Sequence, residues 1–142
     1  MKPPARESIA MSGKYLLDTN VVIEIFQGKQ HVLDRLNQIK NIFIPSLVLG
    51  ELYYGAFKSA RAKENVVRIN EFALKSEILS CDQHTGKIYG EIKADLKLIG
   101  RPIPENDIWI ASIALQNGLT LLTRDSHFNH VPGLSVGKIE KA

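Results

Sequence analysis

The chain has 142 residues, 44% of them hydrophobic, and a formal net charge of +3. That length supplies one domain with a single core, and no apolar run approaches the roughly 20 residues of a membrane-spanning helix. Cys81 is the lone cysteine, which excludes an internal disulfide and fits a reducing, cytoplasmic setting.

Residues 1–13 mix Lys2, Arg6 and Glu7 with two prolines and lack the apolar core of a secretory signal. They read as a disordered N-terminal extension, with Met11 an alternative start, ahead of a single domain over 14–142. Tyr15-Leu16-Leu17 begins a buried strand that Asp18 ends. Val21, Val22, Ile25 and Phe26 then mark a short helix closed by Gln27-Gly28. Val32, Leu33, Leu36 and Ile39 recur at helical spacing, and Ile42-Phe43-Ile44 is the second strand. Pro45-Ser46 stops it, with Ser46 expected to cap a helix from Leu47 that holds Val48, Leu52, Phe57 and, among them, Glu51.

A helix is expected over Ser59–Ser76, its apolar side Val66, Ile69 and Ala73. Lys58, Arg61, Lys63 and Arg68 decorate its other side, either as a solvated face or as a surface for RNA. The mild net charge permits such a polyanionic partner without demanding one. Ile78 to Cys81 is the third strand, and Asp82 caps a helix running to Ile99 with the stripe Ile88, Ile92 and Leu96. Gly86 and Gly90 each cost that helix about 1 kcal/mol relative to Ala, which points to close packing against a neighbour or to a loosely formed first turn. Gly100 ends it, and Pro102-Ile103-Pro104 is an extended connector. Asn106 and Asp107 open a helix carrying Ile110, Ile113 and Ala114 and closed by Asn117-Gly118. Leu119 to Leu122 is the fourth strand, ending at Thr123-Arg124-Asp125, and a weak fifth runs from Leu134 to Ile139. Strands alternating with helices predict an α/β fold of three layers, α/β/α, around a mostly parallel sheet of four to five strands.

Four acids fall at equivalent places in that pattern. Asp18 follows the first strand, Glu51 lies in the second turn of the helix after the second, Asp107 opens a late helix and Asp125 follows the fourth strand. All four positions face the carboxyl edge of a doubly wound sheet, where ligands bind. Each has a structural explanation of its own: a helix cap for Asp18, a favourable dipole for Asp107, a turn for Asp125. Glu51 has the weakest, because a carboxylate among Leu47, Val48 and Leu52 risks costly burial. Converging carboxylates repel and need a positive charge, and an oxygen-only set suits Mg²⁺ or Mn²⁺. Zinc is disfavoured, since the four histidines show no paired ligand spacing.

The order Leu16-Leu17-Asp18-Thr19-Asn20, then Ile44-Pro45-Ser46 with Glu51 after it, then Pro104 to Ala111, then Leu121-Leu122-Thr123-Arg124-Asp125 resembles the PIN-domain family. Within it the chain is similar to VapC-type toxins of toxin–antitoxin pairs. The likeness spans Lys14 to Phe128; the leader before Met11 departs from it. The resemblance implies a Mg²⁺- or Mn²⁺-dependent endoribonuclease acting on RNA, inhibited by a VapB-type antitoxin and homodimeric. It implies catalytic and metal-binding roles for Asp18, Glu51, Asp107 and Asp125, with Thr19, Asn20 and Thr123 as the polar positions beside them. Lys58, Arg61 and Lys63 are the candidate RNA contacts.

Three other readings compete. A receiver-type phospho-acceptor module wants adjacent acids after the first strand and a lysine after a late one; Asp18 has no acidic neighbour, and Arg124-Asp125 stands in the lysine's place. An aspartyl-phosphate phosphatase wants a second Asp two residues after the nucleophile, where this chain has Asn20. A PIN-like scaffold that only binds partners is disfavoured by the intact acid set.

Overall fold

Tyr15, Leu16 and Leu17 point alternately to opposite sides of a strand, yet all three are buried, so their sheet is covered on both faces. The computed structural model describes residues 7–8 and 13–139. Its elements run β1 (Glu7–Ser8), β2 (Lys14–Leu17), α1 (Thr19–Phe26), α2 (Gln30–Asn37), β3 (Asn41–Pro45), α3 (Ser46–Phe57) and α4 (Ala62–Leu74). They continue β4 (Glu77–Leu79), α5 (Gln83–Leu98), α6 (Glu105–Gln116), β5 (Thr120–Leu122) and β6 (Val136–Lys138), with a 3-10 turn over Ser126–His130 before the last strand. Every strand pair is parallel, in the order β1-β6-β5-β2-β3-β4. The architecture is the expected three-layer α/β/α fold.

Five of these strands are those read from the sequence. The sixth, β1, pairs with β6 inside the stretch expected to be a disordered extension; apart from β1 and Gly13, that stretch lies outside the described residues. Two residues on a sheet edge carry too little periodicity to be seen in sequence.

Local differences have local causes. Pro45, not Ser46, stands at the N-cap of α3, with no side-chain cap bond, because Pro45 is still paired with Leu79 in the sheet. The helix expected over Ser59–Ser76 begins only at Ala62. Ser59 Oγ donates back to Ala56 O at 2.6 Å and accepts from Asn65 Nδ2 at 3.0 Å, offering the chain a turn in place of a helix. β4 stops at Leu79 rather than reaching Cys81, since Asp82 just beyond is committed to a capping box with Thr85. Gly86 and Gly90 do not pack closely: a Cβ at either position would meet nothing within 4 Å. Instead α5 is locked onto α6 by Ile92, Leu96 and a Tyr89–Trp109 ring stack 4.0 Å between centroids. Gly118, at φ 64°, takes the left-handed turn from α6 into β5.

Candidate active site

From β2 the chain winds outward through β3 and β4 on one side, while β5 and β6 fill the other. The strand order therefore reverses between β2 and β5, and loops leaving such neighbours open a crevice at their carboxyl ends. Asp18 leaves β2 at this point and Thr123 to Asp125 leave β5 beside it. The register Leu17↔Leu122 puts the next residues, Asp18 and Thr123, side by side, and Asp18 N donates to Leu122 O at 3.0 Å.

Asp18 is the N-cap of α1, accepting the Thr19 N–H on Oδ1 at 2.8 Å. The cap accounts for one oxygen only. Oδ2 accepts from the Thr123 hydroxyl at 2.7 Å and from the Asn20 amide at 3.4 Å. The residue is 3% exposed, and that burial pushes its pKa up to about 6, the Thr123 and Thr19 bonds opposing and the Asp107 and Asp125 charges adding. Asn20 also donates to Asp125 Oδ2 at 3.3 Å, so its one amide nitrogen bridges two acids. Asp125 N donates to Thr123 Oγ1 at 3.0 Å.

The other two acids arrive from helix starts. Glu51, in the second turn of α3, accepts from the Thr19 hydroxyl at 2.8 Å and from the Asn106 amide at 3.3 Å. Asp107 lies in the first turn of α6. Burial raises its pKa, with His127 opposing and the Asp125 and Glu51 charges adding. All four predicted acids, with Thr19, Asn20 and Thr123, therefore belong to one connected cluster.

Four participants escaped the sequence reading, the first being Asn106, which was expected only to open a helix and donates to Glu51. His127, set by the 3-10 turn, brings Nε2 to 2.6 Å from Asp107 Oδ2; no ligand spacing announces it. Glu24 and Arg124 form a fork, Nε to Oε1 at 2.6 Å and Nη2 to Oε2 at 2.8 Å. Glu24 did carry a signal, being an acid among Val22, Ile23 and Ile25, the same anomaly that singled out Glu51. With its guanidinium engaged by Glu24 and by Ile139 O, Arg124 does not serve the acids as a receiver module's lysine would.

The basic residues stand apart from this cluster. Lys58, Arg61 and Lys63 are all exposed. Lys58 ends α3, seven residues or about 10 Å of helix from Glu51, and Arg61 makes an exposed 3.5 Å pair with Glu64. An open groove of about 430 Å³ adjoins Glu51, lined also by Ser46, Leu47, Gly50, Tyr54 and Asn106.

The model of the PIN domain family matches residues 15–134, a span holding the whole acid cluster. This chain belongs to the PIN domain family. Ribonuclease VapC2 of Haemophilus influenzae is 38% identical to it over 114 residues, 79% of this chain and 86% of the relative. The tRNA(fMet)-specific endonuclease VapC of Salmonella typhimurium is 32% identical over 126 residues, covering 87% and 96%. Among solved structures, VapBC2 from Rickettsia felis bound to a promoter DNA fragment superposes with a TM-score of 0.82 at 32% identity, covering 89% of this chain and 98% of the other. DNA-bound VapBC from Salmonella typhimurium gives 0.84 at 31% identity, covering 90% and 99%.

Two carboxylates and an imidazole of this PIN domain are placed to meet one divalent cation. Asp107, Asp125 and His127 each offer a ligand atom, all within 4.8 Å of one another. Burial is the first cause of the raised pKa values of Asp18 and Asp107, and neighbouring carboxylates add to it; both effects disfavour the charged forms that a bound cation would favour. No helix among the described residues is long and apolar enough to cross a membrane.

Proposed function

We infer that this PIN domain is a divalent-metal-dependent endoribonuclease, the toxin of a type II toxin–antitoxin pair. The observation that carries the reading is the convergence of Asp18, Glu51, Asp107 and Asp125 at the switch point of the sheet, each held by its own hydrogen bonds. The names of the relatives, ribonuclease and tRNA(fMet)-specific endonuclease, support RNA as the substrate. The VapBC complexes among its structural neighbours support a protein antitoxin as partner. The family likeness adds a homodimer.

Asp18, Asp107 and Asp125 would hold Mg²⁺ or Mn²⁺, with His127 beside them. An ion held there would polarise a phosphodiester and offset the carboxylate charges. Thr123 and Asn20 orient Asp18 and Asp125. Thr19 and Asn106 each hold one oxygen of Glu51, fixing the carboxylate that would act as a base for the attacking water. The groove beside Glu51 takes the RNA strand, and Lys58, Arg61 and Lys63 meet its phosphates farther along.

The test is Glu51→Gln. Purified variant protein should fold as wild type and lose at least about 100-fold in Mn²⁺-dependent RNA cleavage, the lower bound for a positioned base. Cleavage at the wild-type rate would remove Glu51 from the reaction. Calorimetric titration of the wild type separates nuclease from scaffold: no heat with either Mg²⁺ or Mn²⁺ favours a domain that only binds partners.

A further inference from the structure

Residue 124 is fastened to α1 at two points. Its backbone N–H donates to Asn20 Oδ1 at 3.1 Å, and its guanidinium forks onto Glu24 at 2.6 and 2.8 Å. Asn20 and Glu24 are four residues apart and so share one face of α1. The remaining guanidinium nitrogen, Nη1, donates to Ile139 O at 2.7 Å. One side chain thus ties together α1, the loop after β5 and the end of β6.

Stability alone does not account for this pair. Glu24 is 8% exposed and the Arg124 side chain 28%, and an apolar pair of similar volume in place of a largely shielded ion pair is commonly as stable or more so. What a two-pronged guanidinium–carboxylate contact supplies, and an apolar contact does not, is a set distance and orientation. The group it orients is the acid cluster. Asp125 follows Arg124 directly, and Asp18 is the cap of the same helix that carries Glu24. Between them lies Asn20. With the Arg124 N–H on its Oδ1, its Nδ2 is turned toward Asp18 and Asp125, which it meets at 3.4 and 3.3 Å.

We propose that Glu24 and Arg124 are positioning residues that hold Asp125 in register with Asp18 and thereby set the affinity of the acid cluster for its divalent metal. The proposal rests on the metal-dependent reading above. In this role neither side chain would touch the ion or the RNA.

Calorimetric Mn²⁺ titration of the full chain tests it, comparing wild type with Arg124→Lys, Glu24→Gln and the double apolar exchange Glu24→Leu with Arg124→Met. The lysine keeps the charge and loses the fork. Its Mn²⁺ dissociation constant should rise about 10–100-fold, as when groups that orient metal ligands are removed. The double exchange should fold and show the same weakening. RNA affinity measured in EDTA should stay within about threefold of wild type for each, a split that mere loosening of the fold would not produce. Mn²⁺ binding within twofold of wild type by any folded variant overturns the proposal, and so does failure of all three to fold, which would make the pair a brace of the core. Absence of Mn²⁺ binding by wild type is a different result, defeating the metal-dependent reading and this proposal with it.

Discussion

Thr123 donates its hydroxyl to Asp18 Oδ2 at 2.7 Å across 105 residues of chain. Thr123 Oγ1 also accepts the N–H of Asp125, so one buried threonine holds a carboxylate with one hand and the backbone of a second acid with the other. Parallel pairing of β2 with β5 makes the two residues neighbours.

Thr123→Val keeps the shape and removes the hydroxyl. Asp18 loses a donor that favours its charged form, so its pKa should move above about 6. The Asp125 N–H loses this part-buried bond, at a cost of about 0.5–1.5 kcal/mol. Carboxyl-carbon NMR titration and urea unfolding read the two effects separately. An Asp18 titration that does not move would show that the bond contributes nothing to the charge balance.

Stability in EDTA should rise as the pH falls from 7 to 5. Asp18 binds its proton more tightly in the folded state, with a pKa of about 6 against an ordinary 3.8. The penalty of its charge is complete above about pH 6 and gone below 3.8. At about 1.36 kcal/mol per unit the full swing is roughly 3 kcal/mol, of which roughly 1.4 kcal/mol falls between pH 7 and 5. Asp107 acts in the same sense. Glu24 acts in the opposite one, its pKa lowered by Arg124, but its contribution is lost only below the ordinary 4.5. Urea midpoints at pH 7, 6 and 5 check the slope, and Asp18→Asn should flatten most of it.

Asp107→Asn should melt no lower than wild type in EDTA at pH 7. Burial outweighs the His127 contact in setting the Asp107 pKa, so its charged form is a burden to the metal-free fold. With Mn²⁺ the order should reverse. Wild type gains about 2.7 kcal/mol at a hundredfold excess over its dissociation constant, and the variant much less. Paired melting curves decide this; equal gains by both proteins would leave Asp107 as a helix-start residue only.

RNA binding by the inactive Glu51→Gln protein should fall with salt, and changing Lys58, Arg61 and Lys63 together to Ala should shallow that dependence. Each lost phosphate contact takes about 0.7 from the slope for single strands, so three take roughly 2. An unchanged slope would make these three a solvated face.

The acids were legible because strand ends and helix starts are local events. The apolar run Tyr15-Leu16-Leu17 stops at Asp18, and Leu119 to Leu122 stops before Asp125, which is enough to send both to the same edge of a parallel sheet. Glu51 stood out as a charge on an apolar helix. The same anomaly at Glu24 went unread, since no acid-seeking pattern surrounds it and its partner Arg124 is 100 residues away. His127 was invisible for a similar reason: a 3-10 turn, set by no strong periodicity, returns its ring to Asp107.

By itself, the sequence determined the alternation of strands and helices, the parallel sheet buried on both faces and the four acids at its carboxyl edge, because hydrophobic period and strand termini are written within a few residues. Only the tertiary structure decided what each acid touches. The placement of β5 beside β2 joins Asp18 to Thr123, turns Asn20 toward two carboxylates and locks Arg124 onto Glu24. Such partners are set by strand order and register across the whole chain, and burial at that junction gives Asp18 a proton affinity that its own neighbours in sequence do not encode.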